Sequence, residues 1–381
     1  MEYGDVEYER LLTDYATGKG QDIIAMEAFP LSVTQCVAKE MLEDLTSYYD
    51  NDPELSRDDL VEPVRKAMEH KGKMYYVTPD FNVWTLAAKK EYVGDCTGWS
   101  IEDMKALVDQ RGDNAELFTF GSGKETNLFQ LTARDFSDYI DWETGACSFD
   151  SDSFRYLLEV CNEKGSQDEN AGVMIEGEED QIYSRFNNGD FLLLDEYEMS
   201  LGTVQLENRL MEGGVSYVGC PNEEKNGSMF TFENRFAISS QSKHKEQAWE
   251  FIRSFLSKEY QSEFVGLGNT MPIRQDLFDA KIKEMTATEP YVDEFGERIE
   301  PVKEHLVQYG DMETKIGVPT QEDVDTYMNL IHHTRRCEDY DSVIYEIVME
   351  EVSDYFNGRK NLDETVEVVQ QRVTTYVNEQ K

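Results

Sequence analysis

Thr17-Gly18-Lys19-Gly20-Gln21-Asp22-Ile23-Ile24-Ala25-Met26 reads as a glycine-stopped helix end running into a short, continuous apolar strand. Upstream, Asp5 to Thr17 sets Leu11, Leu12 and Tyr15 on one side of a helix, and glycine is the usual residue just past a helix end. A strand whose apolar residues do not alternate is covered on both faces. The same signature returns at Phe191-Leu192-Leu193-Leu194-Asp195, at Val215 to Pro221 and at Arg235 to Ser239. Between these runs lie helical patterns at Val37–Leu45, Arg57–Glu69, Trp99–Val108, Asp150–Cys161 and Lys245–Leu256. In the fourth of them Phe154, Leu157, Leu158 and Cys161 share one face. Three more helices close the chain, Glu322–Arg335, Tyr340–Phe356 and Leu362–Val377, the last opened by a capping box of Asn361 and Glu364. Short apolar strands alternating with helices predict α/β lobes with mainly parallel sheets. Met74 to Val77 and Val83 to Ala88, separated by Pro79-Asp80, read as two strands that carry the chain from one body to another. No Gly/Ser- or Pro-rich linker divides the chain, so two lobes require more than one crossing.

The length of 381 residues is too great for one ordinary domain. With 36 basic against 78 acidic residues the net charge is −42, which repels phosphate backbones and anionic membrane surfaces, so nucleic acid is excluded as a partner. Hydrophobic residues at 39% suffice for folded cores, so the acidity does not mark a disordered chain. No run approaches the roughly 20 apolar residues of a membrane span. Met1 to Asp5 has neither the basic nor the apolar part of a signal peptide. Cysteines at 36, 96, 147, 161, 220 and 337 never form CxxC, which excludes a zinc knuckle by spacing and predicts buried free thiols. Residues 166–180, with six acidic groups and no basic one, read as an exposed loop.

Several segments, taken in order, resemble one family. Gly18-Lys19-Gly20-Gln21-Asp22-Ile23-Ile24 resembles the G-x-G-P-D-I-I segment of extracellular solute-binding proteins of family 1, the maltose-binding-protein-like, carbohydrate-capturing subunits of ABC importers. Glu40 to Leu45 is similar to that family's G-L-L-E-D-L, and Gly72 to Pro79 to its G-K-L-Y-Y-V-P. Ala237-Ile238-Ser239 through Ala248-Trp249-Glu250-Phe251-Ile252 resembles L-A-I-S…A-A-W-E-F-L. Asp141 to Ser151 and Arg372 to Glu379 are similar to a gut-Firmicutes branch. Gln21 departs from the family's proline. The resemblance implies a two-lobe, periplasmic-binding-protein-like (type II) α/β fold with a hinge. It puts 1–82 with 236–315 in lobe one and 83–235 with 316–381 in lobe two. It also implies that lobe one is N-terminally incomplete, with an exposed sheet edge, since the family has further strands ahead of the segment matched here. Its other implications are a carbohydrate ligand, ABC permease partners, a monomer, no cofactor, and a cell-surface lipoprotein of a Gram-positive-type bacterium.

Binding loops in this family follow strands and crossovers, where open α/β sheets also bind ligands. The candidates are therefore Met26, Glu27 and Phe29 after the first strand, and Asp80, Asn82 and Trp84 at the first crossover. Asp195, Glu196 and Tyr197 follow the next strand, and Phe232 with Asn234 lie at the second crossover. Flat aromatics suit the C–H faces of a pyranose, while carboxylates and amides take its hydroxyls in pairs. Each has a plain alternative: Trp84 as a core residue, the carboxylates as solvated loop groups. Trp99, Trp142 and Trp249 read as structural. With so many acids a glycosidase pair can always be imagined, but no spacing supports one. His332-His333 point apart on a helix, and Asp150-Ser151-Asp152 lacks the calcium-loop spacing, so no metal is expected. No GxSxG, HExxH or phosphate loop occurs. The reading is a non-catalytic sugar-binding importer subunit; the alternative is a ligand-gated sensor module with the same fold.

Overall fold

A computed structural model describes residues 10–15, 17–111, 115–118, 123–166, 179–264, 270–293 and 296–380. Most of the expected acidic loop at 166–180, and the start of the first expected helix, lie outside the described residues. Two sheets are built from β1 (Ile23–Ala25), β2 (Tyr76–Val77), β3 (Asp80–Lys89), β4 (Leu193–Glu196), β5 (Val215–Tyr217), β6 (Met229–Thr231), β7 (Phe236–Ile238), β8 (Met271–Pro272) and β9 (Arg336–Cys337). The smaller has the order β1-β7-β2, with Ile23 opposite Ile238 and Tyr76 opposite Ala237. The larger gathers around β3, which pairs antiparallel with β4, β5, β6 and β8, while β9 lies parallel to β6. The expectation of mainly parallel sheets is therefore corrected: among these ladders only β6–β9 is parallel. An unbroken apolar run reports burial on both faces, and that burial is the same whichever way the neighbouring strand runs.

β3 explains why its ten residues are all buried. Side chains alternate across a strand. Phe81, Val83 and Ala87 enter one hydrophobic core, with Ile24, Tyr76, Phe230 and Ile238. Trp84, Leu86 and Ala88 enter a second, with Trp99, Phe149, Phe154 and Val369. The strand is a common wall, and the chain passes from one core to the other repeatedly. Phe191 and Leu194 belong to the first core but Leu192 and Leu193 to the second; Phe230 belongs to the first and Met229 to the second. Core membership does not run with the lobe limits expected at 82/83 and 315/316. The buried apolar residues between Tyr183 and Tyr217 other than Leu192 and Leu193, together with Tyr327, Leu330 and Ile331, belong to the first core.

The helices that matter for the site are α1 (Val33–Ala38), α2 (Lys124–Leu131), α3 (Leu201–Leu210), α4 (Gln321–His333), α5 (Ser342–Phe356) and α6 (Leu362–Glu379). α6 begins with the expected capping box: Asn361 Oδ1 accepts from Glu364 N at 3.0 Å and Glu364 Oε2 from Asn361 N at 3.3 Å. Its Val366, Val369, Val373 and Val377 form one buried stripe. Arg209 of α3 reaches the buried carboxylate of Asp323 on α4 at 3.2 Å. All six cysteines are free thiols, and burial pushes those of Cys36, Cys161 and Cys220 well up. No helix among the described residues is long and apolar enough to cross a membrane, and no cluster of metal-ligating side chains occurs among them.

Candidate functional site

A cavity of about 460 Å³ opens between the two cores. One wall is Met26, Phe29 and Leu31, from the 3-10 turn after β1 and the approach to α1. The facing wall is an aromatic trio: Phe129 of α2 stands 5.1 Å from Tyr345 and 6.1 Å from Tyr340, both edge-on. Tyr340 is 41% exposed, so an aromatic face is open to the space. Glu27, Arg134, Arg235, Glu338 and Asp339 supply the polar lining.

Each charged group is held differently. Arg235 lies just before β7 and donates its backbone N–H and Nε to the two oxygens of Glu27 at 2.8 and 2.7 Å, with Nη1 on the carbonyl of Glu338 at 2.9 Å. Burial works against the guanidinium's charge, but Tyr76 and Glu27 outweigh it and keep Arg235 firmly charged. Asp339 accepts from the amides of Val33 and Thr34 at 2.7 and 3.0 Å, where free N–H groups at the start of α1 need partners. Arg134 is held least. Its Nε is 3.7 Å from Glu338 Oε1, its Nη1 3.9 Å from Asp195 Oδ2, and Nε is buried with no hydrogen-bond acceptor. Its guanidinium sits between two rings, 5.2 Å from Phe129 and 5.0 Å from Tyr197.

A strained turn presents Arg134. Ala133, Arg134 and Phe136 all have left-handed backbones, φ 56°, 60° and 56°. For residues with a Cβ this costs of order 1–3 kcal/mol each and persists only where the surroundings enforce it. Here Ala133 and Phe136 are buried in the second core, and Asp135 caps Ser137 N at 2.9 Å. Arg336 of β9 lies 3.6 Å from the Asp135 carboxylate and 2.9 Å from that of Asp138. Burial still pushes Asp135 up to about 7, although Arg336 pulls it down.

Of the residues named from the sequence, Met26, Glu27 and Phe29 line the cavity. Tyr197 and Phe232 adjoin it through cations, Tyr197 on Arg134 and Phe232 with its ring 5.9 Å from Arg235. Asn234 is exposed beside Arg235. Asp80 is buried at the head of β3, pushed up to about 6 by burial and the charges of Glu233 and Glu27. Asn82 is buried opposite Thr231. Trp84 is fully buried in the second core, its Nε1 donating to Asp195 Oδ1, because its even position on β3 faces that core. Asp195 spends its other oxygen on Gln130 Nε2 at 2.6 Å. Glu196 leaves the site altogether: burial and the neighbouring Glu207 push its carboxyl well up, and Glu207 in turn accepts from the Tyr217 hydroxyl. Phe129, Arg134, Arg235, Glu338, Tyr340 and Tyr345 escaped the sequence reading. The available signal was the scarcity of cations, which makes an arginine next to a crossover informative.

A cavity of about 520 Å³ lies elsewhere, between the helix Gln275–Met285 and the paired strands Tyr291–Val292 and Arg298–Ile299. Its walls come from residues 261–299 alone, so relative motion of the two cores would not close it.

No curated protein matches the chain in sequence. Among solved structures it resembles the Listeria monocytogenes ABC substrate-binding protein Lmo0181, determined in complex with cycloalternan. The identity is 14%, with 99% of this chain and 90% of that one covered, at a TM-score of 0.53. The sugar-binding protein MalE of Xanthomonas citri aligns at 13% identity over 98% and 88% of the two chains, TM-score 0.54. A solute-binding protein of Agrobacterium radiobacter K84, in complex with ribitol, aligns at 16% over 99% and 90%, TM-score 0.53. These likenesses give the fold, that of the type II periplasmic binding proteins, and the proteins that share it here are binding proteins rather than enzymes. Residues 2–290 match the family described as bacterial extracellular solute-binding protein, and the chain belongs to that family.

Proposed function

We propose that this chain is the solute-binding subunit of an ABC importer, capturing a sugar or oligosaccharide in the cavity between the cores and delivering it to membrane permease subunits. The observation that supports this most is one cavity, walled by both cores, in which open aromatic faces meet carboxylates and guanidinium groups. Rings of that kind stack on the C–H faces of a pyranose, and the charged groups take its hydroxyls. Binding would close the cores about the segments that cross between them, and the closed form is what a permease would recognise. Nothing in this role requires a covalent step or a cofactor. The protein acts outside the cell as a monomer, tethered as a lipoprotein on a Gram-positive-type surface. Carbohydrate ligands in relatives of the same fold, cycloalternan and ribitol among them, agree with the reading.

A thermal-shift titration with neutral mono- and oligosaccharides tests it. A ligand of the folded state raises the melting point with concentration, by roughly 2.7 kcal/mol of stability at a hundred times its dissociation constant. The sugar should be recovered unchanged. No dose-dependent shift with any carbohydrate overturns the proposal, and so does turnover of the sugar.

A further inference from the structure

We propose that the cavity selects uncharged polyhydroxyl ligands, neutral sugars, against both uronates and amino sugars, and that Arg134 and Glu338 are the residues that make the choice. This rests on the carbohydrate reading above. Among the described residues, five charged side chains line the cavity, and three are already engaged. Both Glu27 oxygens are on Arg235, the Arg235 guanidinium bridges Glu27 and the carbonyl of Glu338, and both Asp339 oxygens are on the amides of α1. Arg134 and Glu338 remain. Their contact of 3.7 Å is too long for a hydrogen bond, and the Arg134 Nε finds no acceptor. Asp195 has both oxygens hydrogen-bonded, to Trp84 and Gln130, and draws from Arg134 only the longer-range stabilisation of its charge. Because the Arg134 Nε is itself buried, what Arg134 offers the cavity is the outer part of its guanidinium, beside the Glu338 carboxylate of opposite charge held slightly apart.

That arrangement complements a pair of neighbouring hydroxyls. One hydroxyl donates to Glu338 and the other accepts from Arg134, so both charged groups gain a partner and no net charge enters. A uronate carboxylate would suit Arg134 but face Glu338, with Asp195 a further 3.9 Å beyond Arg134. An ammonium would suit Glu338 but face Arg134. Each charged ligand leaves one group of the pair opposed by a like charge, and specificity of this kind comes from the repelled ligand as much as from the accepted one. The rings of Phe129 and Tyr197 on either side of Arg134 keep its guanidinium from swinging away.

The test uses a mixture of neutral oligosaccharides, the same mixture oxidised at C6 to uronates, and an amino-sugar mixture of matched size. Each is titrated calorimetrically into the wild-type chain, Glu338→Gln and Arg134→Gln. The wild type should bind the neutral mixture at least roughly tenfold tighter than either charged one. Glu338→Gln should shift the ratio toward uronates, and Arg134→Gln toward amino sugars, each by about tenfold, with ligand-free melting points showing that both variants fold. Preference of the wild type for a charged mixture overturns the proposal. So does a change in Glu338→Gln that is equal for neutral and oxidised ligands. Failure of all three mixtures on the wild type overturns the carbohydrate reading itself, a result distinct from either.

Discussion

Replacing Asp80 by asparagine should remove a pH-dependent instability located at the head of β3. Asp80 is 5% exposed, its Oδ1 has no hydrogen-bond partner, and burial with the charges of Glu233 and Glu27 raises its carboxyl from 3.8 to about 6. The folded state therefore holds this proton more tightly than the unfolded chain. Between about pH 4 and pH 6 the folded protein binds more protons at this site, so unfolding free energy falls as pH rises through that window. Below it the site costs nothing; above pH 6 the whole penalty is present, roughly 3 kcal/mol for the distance from 3.8 to about 6. Asparagine has nearly the same shape and cannot ionise. Any cost of its amide is independent of pH and shifts the curve without changing its slope. A chain of net charge −42 has a large pH dependence of its own, so only the difference between two variants is informative. Urea unfolding of both proteins at half-unit steps from pH 4.5 to 8 supplies it. Asp80→Asn should gain on the wild type by about 2 kcal/mol between pH 4.5 and 8, since about a third of the penalty has already developed at pH 4.5. Parallel curves, or a variant that loses ground as pH rises, would refute the assignment of a buried carboxyl with one oxygen unpartnered.

Trp84→Phe should cost about 3 kcal/mol, from the lost bond to the Asp195 carboxylate and the space left by the smaller ring, while the folded variant keeps its ligand. Urea midpoints with calorimetric titration check this, and lost binding at unchanged stability would return Trp84 to the ligand. Arg336→Gln leaves the buried Asp135 without its cation, a loss of about 3–5 kcal/mol where a buried pair is broken. Because Asp135 sits at about 7, the loss should be larger at pH 8.5 than at pH 5.5, where the carboxyl can take a proton; equal losses would contradict the pairing. Asn361→Ala removes the cap of α6 and should lower stability by about 1 kcal/mol, read from the same urea midpoints, with no change in any binding measurement.

Much of the architecture is legible where a pattern is local. Most of the amphipathic helices, the Asn361 cap and the buried run from Val83 to Ala88 depend on neighbours within a turn or two and stand close to where the sequence puts them. The helix expected at Val37–Leu45 is corrected: the helix there is Val33–Ala38, opened by a Ser32 cap, and Leu42 instead bridges to Ser239. Strand direction is not local. The run at Leu193 would be equally apolar beside a parallel or an antiparallel neighbour, and it is antiparallel to β3. Trp84 shows the same limit at one residue: a shift of one position along β3 exchanges the two cores, and nothing in the sequence numbers the faces. Glu27 and Phe29 were legible because a loop after a buried strand has to emerge near the cleft. The partner of Glu27 was not, since Arg235 is 208 residues away. Arg134 was hidden by its backbone, a left-handed turn made without glycine, which the packing of Ala133 and Phe136 and the Asp135 cap enforce.

The arginines around the cavity show what excess acidity demands of a two-core protein. Carboxylates outnumber cations by 78 to 36, so segments brought together by the fold repel one another unless an arginine lies between them. Three do so at the crossovers. Arg235 ties the turn after β1 to the segment after β9, and Arg336 ties β9 to the turn at 135–138. Arg134 lies between that turn, β4 and Glu338, but through contacts of 3.7 and 3.9 Å. The first two make short, forked bonds that fix the frame, and planar guanidinium groups with several donors suit that task better than lysine. The third is the one member of the ring whose bonds are incomplete, and it is also the one presented by a strained backbone between two aromatic faces. A side chain that makes no short bond to the frame, held in place at a cost by the fold, is where a ligand has most to gain by binding.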